Sequence, residues 1–337
     1  MDALPKITKN IRIMPNSFAR SSLFTISDTR LNRKFLDNVE ISSPSGITIN
    51  YKGEELRQDD ADVFLALIFL LNSNTAKKEE FTTEATFSAK ELFILMGWSY
   101  RNFYIDKLKS CLDRMKEAVF RYPEKLGTTA ISILSYIHYP LNKSDKSDYV
   151  VRVSNELFKL FETNYTKLNN EVRKKLKPLA RWLYGYYASH SEPFPHKCET
   201  LKNYCGSGYS DLRNFRVALK RSLQELIDIN FLHSFFIDSK TDLVHIRRQD
   251  VLKNSKDIFF SEDLLNIVHI IAENTVLPKI DVNEVKSLYL KNGGQIDPEK
   301  DFGDMLLRSL DELVKHKKLK AYMPNKDNTV SIIRNRA

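Results

Sequence analysis

Arg213, Arg216, Lys220 and Arg221 sit in the stretch "SDLRNFRVALKRSLQEL" at residues 210–226. At helical spacing Arg213, Arg216 and Lys220 share one flank, and Arg221 projects further round. A guanidinium there can give two hydrogen bonds to O6 and N7 of a guanine, and any of the four can neutralise a phosphate. Glu225 and Asp228 lie close by, so a merely solvated charged face is the competing reading. Arg101, Asn102, Lys107 and Lys109 form a second polar group, clustered near the start of another amphipathic stretch. Arg247 and Arg248 end the run "LVHIRR" (243–248), where they could reach a nucleic-acid backbone.

Both polar groups need a helix that docks by its other side. Leu212, Phe215, Leu219, Leu223 and Leu226 make an apolar stripe behind the first group; Tyr104, Leu108, Leu112 and Met115 make one behind the second. Each helix follows a Leu placed five residues before a Gly: Leu92 and Gly97, Leu201 and Gly206, and, more loosely, Leu288 and Gly293. Glycine permits the positive φ that closes a short helix and turns the chain toward the next. Each long helix runs on into β-like segments: "AVFRY", 130–139 and 148–154; then 231–237 and 243–248; then 319–323 and 329–334. Leading helices are expected at Gln58–Asn72, Asn169–Ser189 and Ser261–Asn274, the second with Pro178 inside it as a late start or a break.

The expected fold class is therefore α+β, mainly α: tandem winged-helix domains with a third winged-helix-like unit at the C-terminus. The expected divisions are an N-terminal arm (1–30), winged helices over 31–154 and 155–248, and a C-terminal unit over 249–337. In the third copy the positions matching Arg213, Arg216, Lys220 and Arg221 hold Lys300, Gly303, Leu307 and Arg308. Glu299, Asp301, Asp304, Asp311 and Glu312 crowd the same segment and would repel phosphates, so this unit is expected to contact protein.

Charge follows the same division. The net charge is +9, yet residues 249–337 hold 14 basic and 14 acidic residues, so the whole excess lies in residues 1–248. A basic body suits a polyanionic partner. No GxxxxGK[ST] phosphate loop is present, the seven histidines are dispersed, and no His-x-His occurs. His190, His196 and Cys198 lack the tight pairing of a metal site, so neither metal nor cofactor is expected, and no enzymatic activity. Cys111, Cys198 and Cys205 are odd in number and scattered, which fits reduced thiols in a cytoplasm; no apolar run of about 18 residues is present, and no membrane association is expected.

Four stretches carry a resemblance: "INYKGEELRQDDADVF" (49–64), "ELFILMGWSYRNFYIDKLKSCLDRM" (91–115), "KLKPLARWLYGYYASHSEPFPHKCETLKNYCGS" (175–207) and "DLVHIRR" (242–248). Over residues 14–248 the chain resembles the TrfA-type plasmid replication initiators. The resemblance implies two tandem winged helices that bind direct repeats (iterons) in double-stranded origin DNA, help open an AT-rich segment, and recruit host initiator, helicase and sliding clamp. Self-association as a dimer is a further expectation. It implies repeat binding by Arg101, Asn102, Lys107, Arg213, Arg216, Lys220 and Arg221. Leu23 and Phe24, after "MPNSFARSS", are similar to short peptides that enter a sliding-clamp pocket; an arm packed on the first domain is the alternative. Asp59 or Asp60 of "GEELRQDD" is expected to cap the next helix. The rival functions are a transcriptional repressor of the same fold and a nicking replication enzyme.

Overall fold

The computed structural model describes residues 4–5, 7–27, 32–44, 49–78, 82–124, 127–141, 148–191, 193–249, 279–291, 302–315, 321–325, 327 and 329–333. The chain divides into two units: Met1–Phe231 with Ile237–His245, and Leu232–Phe236 with Ile246–Ala337.

The first unit begins with β1 (Ile11–Pro15), α1 (Asn16–Ala19), β2 (Phe35–Ile41) and β3 (Ile49–Glu54). Its central helix is α2 (Gln58–Lys78). The Asp60 carboxylate accepts the Arg57 backbone N–H at 2.7 Å, the reach-back half of a capping box. The run "VFLALIFLL" then makes α2 apolar around most of its girth, and Val63, Phe64, Leu67, Ile68 and Leu71 are buried, as a helix at the centre of a core must be.

After α2 come β4 (Glu84–Ser88), α3 (Ala89–Met96), α4 (Asn102–Glu117), β5 (Val119–Glu124), β6 (Gly127–Ile131), β7 (Leu134–His138) and β8 (Asp148–Val153). Ser88 caps α3 by accepting the Glu91 N–H at 3.2 Å. Gly97, at φ 75°, closes it, and the Trp98 N–H reaches back to the Phe93 carbonyl at 2.9 Å. The run expected as one strand over 130–139 is divided: β6 joins the sheet β2-β3-β5-β6, whereas β7 joins β4-β8-β7.

The unit continues with a 3-10 turn (Asn155–Phe158), α5 (Lys159–Thr163), β9 (Tyr165–Asn169), α6 (Asn170–Lys175) and α7 (Pro178–Ala188). Pro178 begins α7, so the leading helix expected over 169–189 is two helices, because proline suits a first turn and disfavours a helical residue before it. Next along the chain are β10 (His196–Lys197), α8 (Cys198–Tyr204), α9 (Leu212–Asp228), β11 (Leu232–Ile237) and β12 (Leu243–Arg248); of the last two strands, Leu232–Phe236 and Ile246–Arg248 fall in the second unit. Gly206, at φ 58°, turns the chain, and the Ser207 N–H meets the Lys202 carbonyl at 3.0 Å, the same closing bond as after α3.

The remaining elements are β13 (Lys279–Asp281), α10 (Val282–Lys291), α11 (Phe302–Lys315), β14 (Ala321–Pro324) and β15 (Thr329–Ile333). The helix expected at 261–274 and the turn at Gly293 lie outside the described residues. Three sheets share one strand order: β4-β8-β7, β10-β12-β11 and β13-β15-β14. In each, the strand before a short helix pairs with the last strand of the hairpin that follows the long helix, a winged-helix-like arrangement.

The segment expected as an arm is part of the body. β1 pairs antiparallel with β9 from Ile11↔Asn169 to Pro15↔Tyr165. Leu23 and Phe24 are each only 2% exposed, with the Phe24 ring against Phe18 and Phe64. This corrects the clamp-peptide expectation, since both side chains are buried in the protein's own core; the packed-arm alternative is what the structure shows.

Candidate nucleic-acid interface

α4 and α9 occupy equivalent places, each following a Gly-closed short helix and preceding a hairpin. On α4, Ile105, Leu108, Leu112 and Met115 are buried. Tyr104 is half-buried beside Trp98, with ring centroids 5.5 Å apart. The opposite face exposes Arg101, Asn102, Phe103, Asp106 and Ser110.

α4 is held from behind by the "GEELRQDD" segment. The buried Arg114 guanidinium donates to Asp60 Oδ1 at 2.9 and 3.0 Å. Arg33 binds Asp60 at 2.7 Å and Asp59 at 2.8 Å. Burial pushes the Asp59 carboxyl up, but Arg33 and Lys107 outweigh it and hold the group at about 2. Arg57 is buried and bonded to Glu55 at 2.8 Å, a structural placement.

Lys107 therefore differs from its expected role. Its ammonium lies 3.1 Å from Asp59 and 4.8 Å from the Trp98 ring centroid, so it ties α4 to the start of α2. Lys109 is half-buried, 5.9 Å from the Tyr139 ring centroid. Arg101 and Asn102 stand exposed at the beginning of α4, where Arg101 is the N-cap and makes no side-chain cap.

On α9 the buried face is Phe215, Leu219, Ser222, Leu223 and Leu226. Asp211 caps the helix, accepting the Arg213 N–H at 2.8 Å. Arg213, Lys220 and Arg221 are exposed and form no ion pair among the described residues. Arg216 does: it binds both Asp242 oxygens, at 2.8 and 2.9 Å. The Asp242 carbonyl accepts the Cys198 N–H at 3.1 Å. Arg216 thus fastens α9 to the hairpin and to the start of α8, a positioning contact in place of the expected free cation.

Arg247 is also corrected. The chain reverses at 238–242, so Arg247 and Arg248 lie at the base of the hairpin and not at its tip. Within the second unit, Arg247 donates to Asp311 at 2.7 Å, Tyr322 donates to the same carboxylate oxygen at 2.5 Å, and His233 Nε2 lies 3.3 Å away. Arg248 is half-buried. Asp311 is buried, which removes it from the acidic surface expected of the third copy; Glu299 and Asp301 lie outside the described residues.

The sequence reading passed over Phe103 and Asn214, exposed in the first turns of α4 and α9, and Lys240, exposed at the hairpin tip where Asp238 accepts its N–H at 2.8 Å. The polar turn "DSKTD" was the available signal for Lys240. Cys111, Cys198 and Cys205 are buried free thiols. Burial and the nearby Asp242 raise Cys198 to about 11, so it stays a neutral thiol. Among the described residues no His/Cys/Asp/Glu group is arranged to hold a metal ion, and no helix is long and apolar enough to cross a membrane.

A family model described as TrfA protein matches residues 1–248. The plasmid replication initiator protein TrfA of Escherichia coli is 31% identical over 242 residues, covering 71% of this chain and 62% of that protein. The chain thus spans less than two thirds of that relative's length. Among solved structures, selenomethionine domains 2 and 3 of RctB superpose with a TM-score of 0.49 at 16% identity, covering 69% of this chain and 98% of theirs. A second structure of RctB domains 2–3 gives 0.46 at 15% identity, with the same coverage.

Proposed function

The chain belongs to the TrfA protein family, and on that premise we propose that it initiates replication of a plasmid by binding direct repeats at the origin. Two tandem winged helices do the reading. α4 and α9 enter successive major grooves, with Arg101, Asn102 and Lys109 serving the first, and Arg213, Lys220 and Arg221 the second. Lys240 at the hairpin tip neutralises the backbone. Lys107 and Arg216 act one step behind, each orienting its helix through a carboxylate.

The observation that carries this reading is the repetition. Two long helices follow the same glycine-closed turn and lead into the same sheet order; Arg101 at the start of α4, and Arg213 and Arg221 on α9, are exposed without an ion partner among the described residues. Binding then promotes opening of an adjacent AT-rich segment and recruitment of host initiator, helicase and sliding clamp. No catalytic centre in this chain is required for those steps. The second unit serves as a protein-contact module, including self-association, because residues 249–337 carry no net charge and hold Gly303 and Leu307 at the positions matching Arg216 and Lys220.

Replacing Arg213 by alanine is expected to weaken repeat binding by about 1–3 kcal/mol and to relax preference at one base position, as loss of a bidentate guanine contact does. A gel-shift titration over a panel of single-base variants measures both. Unchanged affinity and an unchanged base profile would remove Arg213 from the interface.

A further inference from the structure

We propose that Phe103 reads the C5-methyl groups of thymine in the major groove, making it a specificity-determining residue of the first recognition helix. The inference rests on the repeat-binding reading above and adds the base it selects.

Phe103 is the second residue of α4 and is 70% exposed. The core does not call for an aromatic ring there, because α4 docks through Ile105, Leu108, Leu112 and Met115. The ring meets Tyr104 edge-on at 5.3 Å and otherwise faces outward. Its neighbours are exposed Arg101 and Asn102, and Tyr100 is 43% exposed just before the helix. A large apolar group set among hydrogen-bonding groups fits a surface that is itself mostly polar with isolated apolar points. The major groove is such a surface, and its apolar points are the thymine methyls.

The comparison with α9 sharpens the assignment. Aligned on the buried stripes, Leu108, Cys111, Leu112 and Met115 against Leu219, Ser222, Leu223 and Leu226, Phe103 matches Asn214, also exposed. The same helical position thus carries a carboxamide in one repeat and a phenyl ring in the other. A carboxamide hydrogen-bonds to the edge of adenine. A phenyl ring has no donor or acceptor to offer, so the base edge it distinguishes is the methylated one. A protein partner seated on Phe103 would have to bury Arg101 and Asn102 with it, at a desolvation cost that DNA phosphates repay.

The test uses the full chain and the repeat duplex it selects from random DNA. Each thymine of the repeat is replaced in turn by deoxyuracil, which pairs identically but lacks the methyl group. Wild-type protein is expected to lose about fourfold in affinity at each methyl that Phe103 covers, the worth of one buried methyl group. Phe103→Ala, confirmed folded by an unchanged melting temperature, should bind the thymine duplex correspondingly more weakly and show no further loss at those positions. A deoxyuracil scan on which Phe103→Ala loses as much as wild type overturns the proposal, as does unchanged affinity of Phe103→Ala. If Phe103→Ala alters self-association in sedimentation while leaving the scan unchanged, the ring belongs to a protein contact and the proposal is wrong. Wild-type binding with a flat scan overturns this inference alone, whereas failure of wild type to select any duplex overturns the repeat-binding reading as well.

Discussion

Replacing Asp60 by alanine should lower the stability of the protein by about 3–5 kcal/mol, the usual consequence of removing one partner from a buried ion pair. Asp60 is 0% exposed. One of its oxygens serves the Arg114 guanidinium at 2.9 Å; the other serves Arg33 and the Arg57 N–H, each at 2.7 Å. Alanine removes the helix cap from α2 and leaves two guanidiniums with reduced compensation in a nearly dry site. Arg33 keeps Asp59 at 2.8 Å, and Arg114 keeps a longer approach to Glu54 at 3.7 Å, so the loss is severe but bounded. Asparagine retains a carbonyl oxygen that can accept the Arg57 N–H, so Asp60→Asn should fall between wild type and Asp60→Ala. Chemical denaturation of the three proteins gives the order, and a loss below about 1 kcal/mol for alanine would show that the network contributes little.

The second large effect is expected at Asp62, which joins the two helix repeats inside the first unit. Asp62 lies on α2, and it accepts from Arg173 of α6 at 3.0 Å and from Arg181 of α7 at 2.6 Å. Burial lowers Arg173 to about 10, with Asp62 partly offsetting it. Asp62→Ala should cost about 3 kcal/mol, since Arg181 can turn outward but Arg173 cannot. The more telling consequence is geometric. If α4 and α9 read one repeat together, the distance between their sites is set by this joint, by the β1–β9 pairing, and by the Asn170 side chain donating to the Leu95 carbonyl at 2.9 Å. Inserting or deleting one base pair between the two halves of a repeat rotates them by roughly 35°. Wild type should bind such altered duplexes poorly, and Asp62→Ala should discriminate less between the spacings. An identical spacer profile for both proteins would show that Asp62 has no part in fixing the register.

Local pattern was enough for the elements that local chemistry dictates. Gly97 and Gly206 sit where a short helix must close, and both take positive φ. The leucine stripe of α9 is visible in its spacing, and Leu219, Leu223 and Leu226 are buried as that spacing requires. Pairing across distance was not visible. Lys107, Arg216 and Arg247 all look like free cations in the sequence, but their partners Asp59, Asp242 and Asp311 come from other segments. Leu23 and Phe24 are an apolar pair after polar residues, a pattern shared by a docking peptide and a packed strap. The burial of both side chains, with the Phe24 ring against Phe18 and Phe64, decides between them. Phe103 was overlooked for a different reason: periodicity marks apolar residues that belong to the buried stripe, and this one lies off it.

Recognition of a repeated sequence by the two winged helices is directly measurable. Footprinting of this 337-residue chain on the DNA flanking its own gene should show several protected segments of one sequence, in the same orientation and regularly spaced, lost together as salt is raised. Uniform protection that follows only protein concentration, or none beyond that on unrelated DNA at the same salt, would contradict it.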